Sequence, residues 1–331
     1  MRSLAHAIVR SLESGQALEL VTVLTASGST PRGPGAMLAV FSDGTAVGTV
    51  GGGNVEFEAT AVAKSLLQSQ QDALREFRLI QGDAASLGMV CGGDLTLHFQ
   101  YLSADDASTL ALFRELLEAT GQNRDVWLVR RLDNEKVSAM DLADRDGPRH
   151  LPGLPLDLLE NAPALRDGWF TLPAVRAGLL YIFGGGHVSQ ALVPVAATVG
   201  FRPFIYDDRP EFAAKARFPQ AAGTLCGSFT ALSRHLTITP NDYVVIMTRG
   251  HQADFEVLVQ TLRCGARYLG CIGSRKKLAL CRDRLLANGF TPEEHARVHA
   301  PIGLAIGAQT PEEIAVSVTA ELIAVRAGVI A

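Results

Sequence analysis

The chain has 331 residues, 47% of them apolar and 19% charged, and a formal net charge of −4. That length exceeds what one ordinary core organises, so two domains are expected. The acidic balance excludes a protein held to nucleic acid by a general positive field, but not a small phosphorylated ligand held by a few local groups. The opening segment, MRSLAHAIVRSLESG, reads as a short amphipathic helix without the apolar run of a secretory signal. No apolar run reaches the roughly 18 residues of a membrane span. Five cysteines, Cys91, Cys226, Cys264, Cys271 and Cys281, form no CxxC pair. Without an export signal they are expected as reduced thiols, and the protein as cytoplasmic. No His/Cys/Asp spacing resembles a zinc site.

After the first helix an apolar strand is predicted over Leu18–Leu24. A loop dense in Ser, Thr, Pro and Gly follows (Thr25–Gly35), carrying one cation, Arg32. Strands at Ala36–Phe41 and Thr45–Val50 are joined by Asp43-Gly44, a hairpin pair. Gly51-Gly52-Gly53 then leads into a helix from Asn54 to Ser69, with Val55, Ala59, Val62, Ala63 and Leu66 at core-facing spacing. A glycine triplet before a helix exposes backbone N–H groups, a possible anion site, although Glu56 in the first turn is equally explained by the helix dipole. Strands at Glu76–Ile80, Leu95–Leu102 and Val126–Leu132 and a helix near Asp105–Ala119 complete a mixed α/β domain over residues 1–132. Cys91, flanked by Gly92-Gly93, is accessible enough for a soft ligand or sulfur acceptor; spacing alone favours a buried structural thiol.

Residues 133–177 contain five prolines (Pro148, Pro152, Pro155, Pro163, Pro173) and no long periodicity, and read as a Pro-rich connection with some local structure. From 178 to 331 the alternation becomes regular, predicting a Rossmann-type, doubly wound parallel sheet. Strand Leu179–Phe183 runs into Gly184-Gly185-Gly186-His187-Val188-Ser189 and a helix to about Val199. Gly184 and Gly186 match the first two glycines of G-x-G-x-x-G, and Ser189 stands at the third. Asp207 and Asp208 end the next strand, where an acid can accept from a ribose hydroxyl. Pro194 inside the helix is expected to kink or shorten it. The alternative is that these glycines only make a tight turn.

Thr248–Asp254 follows strand Tyr243–Thr248 and precedes a helix, Asp254–Cys264. There Arg249 could pair with phosphate, and His251 with Asp254 could orient a polar group; an exposed loop with a helix cap at Asp254 is the competing reading. Strand Tyr268–Ile272 ends in Gly273-Ser274, and three cations, Arg275, Lys276 and Lys277, open a helix to Asn288 against its dipole. Thr310-Pro311-Glu312-Glu313 is a strong start signal for the last helix.

Taken in order, GSTPRGPGAM, GTVGGGNVE, the CGG of Cys91–Gly93, FGGGHVSQAL, YDDRPEFA, TRGHQAD, YLGCIGSRKK and PIGLAIGAQTPEEIAVSVTAEL give the chain a resemblance to the xanthine dehydrogenase accessory protein family, XdhC/CoxI. The resemblance covers both domains outside the Pro-rich connection. It implies an accessory protein that binds the molybdenum cofactor, as plain molybdopterin or a dinucleotide form. Such a protein protects the cofactor transiently while its sulfido ligand is installed and delivers it to a xanthine dehydrogenase-like hydroxylase. It also implies a cysteine desulfurase as sulfur donor and makes a homodimer plausible. Carried over by motif, Cys91 would contact the cofactor or its sulfur, and Arg32 with Gly51, Gly52 and Gly53 would serve a pocket in the first domain. Gly184, Gly185, Gly186, His187 and Asp207, with Arg249 and His251, would hold a nucleotide or the pterin phosphate. The rival readings are an NAD(P)-dependent oxidoreductase using the same fingerprint, for which His187 and His251 are the acid–base candidates, and a protein-binding scaffold.

Overall fold

The computed structural model describes residues 1–79, 92–122, 124–133 and 136–330. Its backbone divides into two units, Met1–Arg176 and Ala177–Ala331.

The first unit opens with α1 (Arg2–Glu13), β1 (Leu18–Gly28), β2 (Met37–Phe41) and β3 (Ala46–Gly48). It continues with α2 (Gly53–Ser69), β4 (Ala73–Leu79), β5 (Gly93–Leu102) and α3 (Ala107–Ala119). These strands form an antiparallel sheet in the order β3-β2-β1-β5-β4. Strand β1 reads as one apolar run because both faces of the sheet are covered. Leu18, Leu20 and Leu24 pack with α1 and α3, whereas Val21 and Val23 pack with Val55, Ala59 and Ala63 of α2.

The Pro-rich stretch holds more structure than a connection. It contributes to a second antiparallel sheet made of β6 (Val126–Asp133), β7 (Lys136–Asp144), β8 (Gly147–Pro148), β9 (Ala164–Arg166) and β10 (Trp169–Val175), ordered β8-β7-β6-β10-β9. The prolines are tolerated because each avoids a central ladder position. Pro148 lies in the two-residue edge strand, Pro173 sits at a register irregularity, and the others lie outside strands. The buried carboxylate of Asp141 ties the intervening loop down, accepting from the amides of His150 (2.6 Å) and Leu151 (3.0 Å).

The second unit runs β11 (Leu180–Phe183), α4 (His187–Thr198), β12 (Pro203–Asp207), β13 (Gly223–Cys226), β14 (Tyr243–Ile246) and α5 (His251–Thr261). It ends with β15 (Tyr268–Cys271), α6 (Arg275–Ala287), α7 (Pro292–Ala296) and α8 (Pro311–Arg326). All pairings are parallel, in the order β13-β12-β11-β14-β15, the doubly wound arrangement the alternation predicts. Helices α4 and α8 cover one face through Leu192, Val193, Ala196, Val318 and Leu322, and α5 and α6 the other through Phe255, Leu258, Leu278 and Leu285. Pro194 does not end α4, which continues to Thr198 with Leu192, Val193 and Ala196 buried. The start of α8 carries the expected capping box: Thr310 Oγ1 accepts from the Glu313 amide, and Glu313 Oε2 from the Thr310 amide.

One buried group of the first unit makes its stability depend on pH. Glu19 on β1 is fully buried, and neither carboxyl oxygen has a hydrogen-bond partner. Burial, with the nearby charge of Asp72 adding to it, pushes its pKa up to about 9. The folded chain therefore keeps this proton over a window, from about 4.5 to about 9, in which the unfolded chain has lost it. Stability falls as pH rises through that window, by on the order of 3 kcal/mol between pH 4.5 and 7 from this group alone. Glu19→Gln is expected to raise the unfolding midpoint relative to the parent chain by an amount that grows from pH 5 to pH 8. Thermal unfolding of both proteins across that range checks this, and a constant difference refutes it.

Candidate anion-binding site

The second unit has its topological switch point between β11 and β14, where the order of connections reverses and α/β sheets place ligands. Gly184 leaves β11 with φ of 104°, and a Cβ there would lie 2.3 Å from the Met247 carbonyl oxygen beyond β14. Gly185 is equally constrained, since its Cβ would lie 2.1 Å from the Phe212 carbonyl oxygen. The two loops are thus drawn together, and the starts of α4 and α5 open at the same edge of the sheet.

Both helix starts are bare. Gly186 is the N-cap of α4 and Gly250 that of α5, neither helix has a side-chain cap, and a Cβ at either glycine would meet nothing within 4 Å. The other long helices of this unit are capped, α6 by Ser274 and α8 by Thr310. An uncapped start presents unsatisfied N–H groups and the positive end of the helix dipole, an arrangement suited to phosphate or carboxylate. His187 and His251, the first residues of the two helices, are exposed.

Asp207 occupies the expected place at the end of β12, but its carboxylate is already engaged. Oδ2 accepts from the Gly185 amide (2.7 Å) and from Arg209 Nη2 (3.1 Å), and Oδ1 from the amide (2.9 Å) and Nε (2.9 Å) of Arg209. Burial raises its pKa, and these hydrogen bonds together more than reverse that, so it lies below the usual carboxylate value. In this arrangement Asp207 braces the glycine turn and leaves no oxygen open for a ribose hydroxyl. Arg209 lies 3.4 Å over the Phe212 ring, and Arg217 donates to the Gly185 carbonyl (3.3 Å), closing the β12 side of the turn. Ser189, at the third glycine position, is buried and donates to the Gly184 carbonyl, so its hydroxyl joins helix to turn.

Arg249 is exposed and pairs with Asp208 (3.1 Å). Asp254 neither caps α5 nor meets His251: its buried carboxylate takes the amide (3.0 Å) and hydroxyl of Thr248 and the ammonium of Lys277. Sequence reasoning missed this Asp254–Lys277 link and the Asp207–Gly185–Arg209 brace. The signal for the brace was an arginine two residues beyond Asp207, close enough to fork back onto it.

In the first unit three of the glycine-rich motifs meet at one end of the β1–β5 pair. Gly28 is in register with Gly93, the Ser29 amide donates to the Gly92 carbonyl (3.2 Å), and a Cβ on Gly51 would lie 2.5 Å from Pro31 Cγ. Arg32 on this loop is exposed. Cys91 lies outside the described residues. The glycine triplet differs from the pair of bare helix starts. The Gly51 amide donates to Thr49 Oγ1 (3.1 Å) and the Gly52 amide to Glu56 Oε2 (3.1 Å), while Thr49 also donates to Glu56. The Thr49 hydroxyl is the largest of the influences holding the Glu56 carboxyl below its ordinary pKa. A carboxylate of the chain itself therefore sits at the start of α2, and Gly53 completes the turn with φ of 56°.

Cys226 is exposed, Cys264 and Cys281 are partly buried, and only Cys271 of the four is core; all four are free thiols. Among the described residues no group of three or more His, Cys, Asp or Glu side chains could hold a metal ion. No helix among them is long and apolar enough to cross a membrane.

The fold is that of a Rossmann domain with two uncapped helix starts at its switch point, in a chain that also carries a β-rich unit. The family model of the XdhC Rossmann domain matches residues 180–322, and that of the XdhC and CoxI family matches residues 11–78; the chain belongs to this family. It is 28% identical over 333 residues to the Escherichia coli K12 protein named molybdenum cofactor insertion chaperone PaoD, covering 98% of this chain and 88% of PaoD. It is 26% identical to a Bacillus subtilis protein named as a probable xanthine dehydrogenase component, covering 95% of each. The uncharacterized Escherichia coli protein YqeB is 27% identical over 93% of this chain, which spans only 43% of YqeB. A Bacillus halodurans protein whose crystal structure is described as that of a xanthine dehydrogenase shares the fold with a TM-score of 0.81. The two are 28% identical, with 98% of this chain and 96% of that one covered.

Gly186→Asp tests the bare start of α4. Its φ of −74° and open surroundings accept an aspartate, which would cap the helix with its own anion. The variant is expected to unfold at the same or a slightly higher temperature, by a few tenths of a kcal/mol. It should bind inorganic pyrophosphate roughly tenfold more weakly. Calorimetric titration checks the second effect, and unchanged affinity refutes the assignment.

Proposed function

We propose that the chain is a molybdenum cofactor chaperone serving a xanthine dehydrogenase-like enzyme. The observation that carries this reading is the pair of uncapped helix starts at the switch point, in a chain similar over nearly its whole length to a protein named for insertion of that cofactor. The pterin cofactor ends in a phosphate, and the amides at Gly186 and Gly250 fit such a group because no side chain of the chain caps them. His187 and His251, exposed beside those amides, would line the same crevice, and Gly184, Gly185 and Asp207 would set its shape. Arg249 is near enough in sequence to exchange its partner Asp208 for the ligand.

In this reading Cys91 meets the cofactor or its sulfur, and Arg32 and Gly51–Gly53 serve the pocket of the first unit. The cofactor, when bound, supplies the molybdenum centre whose sulfido ligand the recipient enzyme needs. The chain contributes binding, orientation and protection from water. A cysteine desulfurase as sulfur donor and a homodimeric assembly complete the proposal. The NAD(P)-dependent alternative is less well supported, because the acid that would receive the ribose is engaged with Gly185 and Arg209.

Protein purified from a cofactor-producing host is expected to carry molybdenum and pterin, measured by elemental analysis and by fluorescence of the oxidised pterin. Cys91→Ala is expected to lower the retained amount roughly tenfold, equivalent to about 1.4 kcal/mol of binding. Wild-type protein that retains neither molybdenum nor pterin, while binding and oxidising NAD(P)H, would overturn the proposal.

A further inference from the structure

Between α5 and α6 lies a groove of about 520 Å³, lined among others by His251, Phe255, Lys276, Lys277, Leu280 and Arg284. The volume is that of a small-molecule site. None of the described residues lining it is a carboxylate. Lys277 is neutralised by Asp254, whereas Lys276 and Arg284 have no ion-pair partner among the described residues, and the Arg284 guanidinium carbon lies 3.9 Å from the centre of the Phe255 ring. Leu280 is 64% exposed on α6, one turn from Lys276 and one from Arg284, an apolar side chain left in water beside two cations. His251 belongs both to this groove and to the start of α5, so the groove adjoins that uncapped helix start.

Along the sheet edge the two helix starts are flanked on one side by β12 and on the other by β15. Toward β12 the crevice is closed: Asp207 is bonded to Gly185 and Arg209, and Phe212, under the Arg209 guanidinium, presses its carbonyl against Gly185. The acid that would accept from a dinucleotide's ribose hydroxyl is therefore engaged within the chain. Toward β15 the groove is open. A ligand whose phosphate rests on the Gly186 and Gly250 amides can carry the rest of its body into that groove.

We infer that the α5–α6 groove is the subsite for the body of an organic phosphate, a flat heteroaromatic ring packed against Leu280 and the Phe255–Arg284 pair, with Lys276 beside it for further negative charge. Aromatic faces pack well on apolar side chains and on a guanidinium, and the cations exclude a cationic body. The inference rests on the crevice binding phosphate, as proposed above, and it places the ligand on the opposite side of the glycine turn from the usual arrangement.

Two probes represent the sources of such chemistry: FMN, with a pteridine-like ring, and AMP, a purine nucleotide. The comparisons are riboflavin and inorganic phosphate, all titrated against the full chain by fluorescence or calorimetry. At least one of FMN and AMP is expected to bind roughly tenfold or more tightly than inorganic phosphate, and the tighter one tells pteridine from purine chemistry. Leu280→Asp and Lys276→Glu, both on exposed side chains, are expected to remove that gain while leaving phosphate affinity within about threefold, under 1 kcal/mol. Gly186→Asp is expected to weaken the organic and inorganic phosphates alike. Organic phosphates binding no better than phosphate, a gain untouched by Leu280→Asp, or a groove that binds an acidic peptide and neither probe would each overturn the inference. Phosphate affinity unchanged by Gly186→Asp would instead overturn the crevice reading, and is told apart because the groove variants report only on the organic body.

Discussion

At Gly184 the chain leaves β11 in a backbone conformation open to glycine and passes so near Met247 that no side chain fits between them. The arrangement of the second unit's binding edge follows from that close approach. It brings the loop after β11 against the loop after β14, so that α4 and α5 start side by side. It also places the Gly184 carbonyl where the Ser189 hydroxyl can reach it, drawing the helix back onto the turn. On the other side, the Gly185 amide points at Asp207, which Arg209 holds in place. A Cβ at Gly184 would part the two loops and undo these contacts together.

Similar glycine-rich sequences lead to opposite outcomes in the two units. Before α2, Gly51 and Gly52 deliver their amides to Thr49 and Glu56, and the chain satisfies its own helix start. Before α4, Gly184 donates to the Tyr206 carbonyl and Gly185 to Asp207, and a Cβ at the Gly186 N-cap would meet nothing within 4 Å. The difference is a carboxylate in the first turn: Glu56 reaches back in α2, while α4 has no acid there and the first-turn acid of α5, Asp254, is turned away to Thr248 and Lys277. A glycine run before a helix therefore does not by itself define an anion site. What decides it is whether an internal anion already lies within reach of the amides.

This distinction also explains what was legible in the sequence. The parallel sheet of the second unit was readable because its strands are short apolar runs alternating with helices. The capping box at Thr310 was readable because it depends on residues three apart. The second sheet of the first unit was hidden by its prolines, which mark edges and irregularities here rather than a linker, and by the mixed polarity of β7. Strand β13 was missed because its four residues are only partly buried and carry no apolar signature. At the site, the glycine turn and the acid after β12 were found by spacing, but the role of Asp207 was not. That role is set by Arg209 and by the direction of one amide, which no periodicity records.

The charges near the crevice further define what it can recognise. Arg209 pairs with Asp207, Arg249 with Asp208 and Lys277 with Asp254, so the cations nearest the turn are largely compensated within the chain. The remaining positive potential comes from Arg217, which donates to the Gly185 carbonyl and has no ion-pair partner among the described residues, and from two helix starts, each equivalent to roughly half a charge and fading within a turn. A site built in this way discriminates by the placement of amides more than by net charge, consistent with a chain of overall charge −4 that need not attract polyanions. Two further uncompensated cations, Lys276 and Arg284, lie farther out, beside apolar surface. In the proposed reading the helix starts hold a compact anion by geometry and the outer groove holds its broad, flat body by charge and apolar contact.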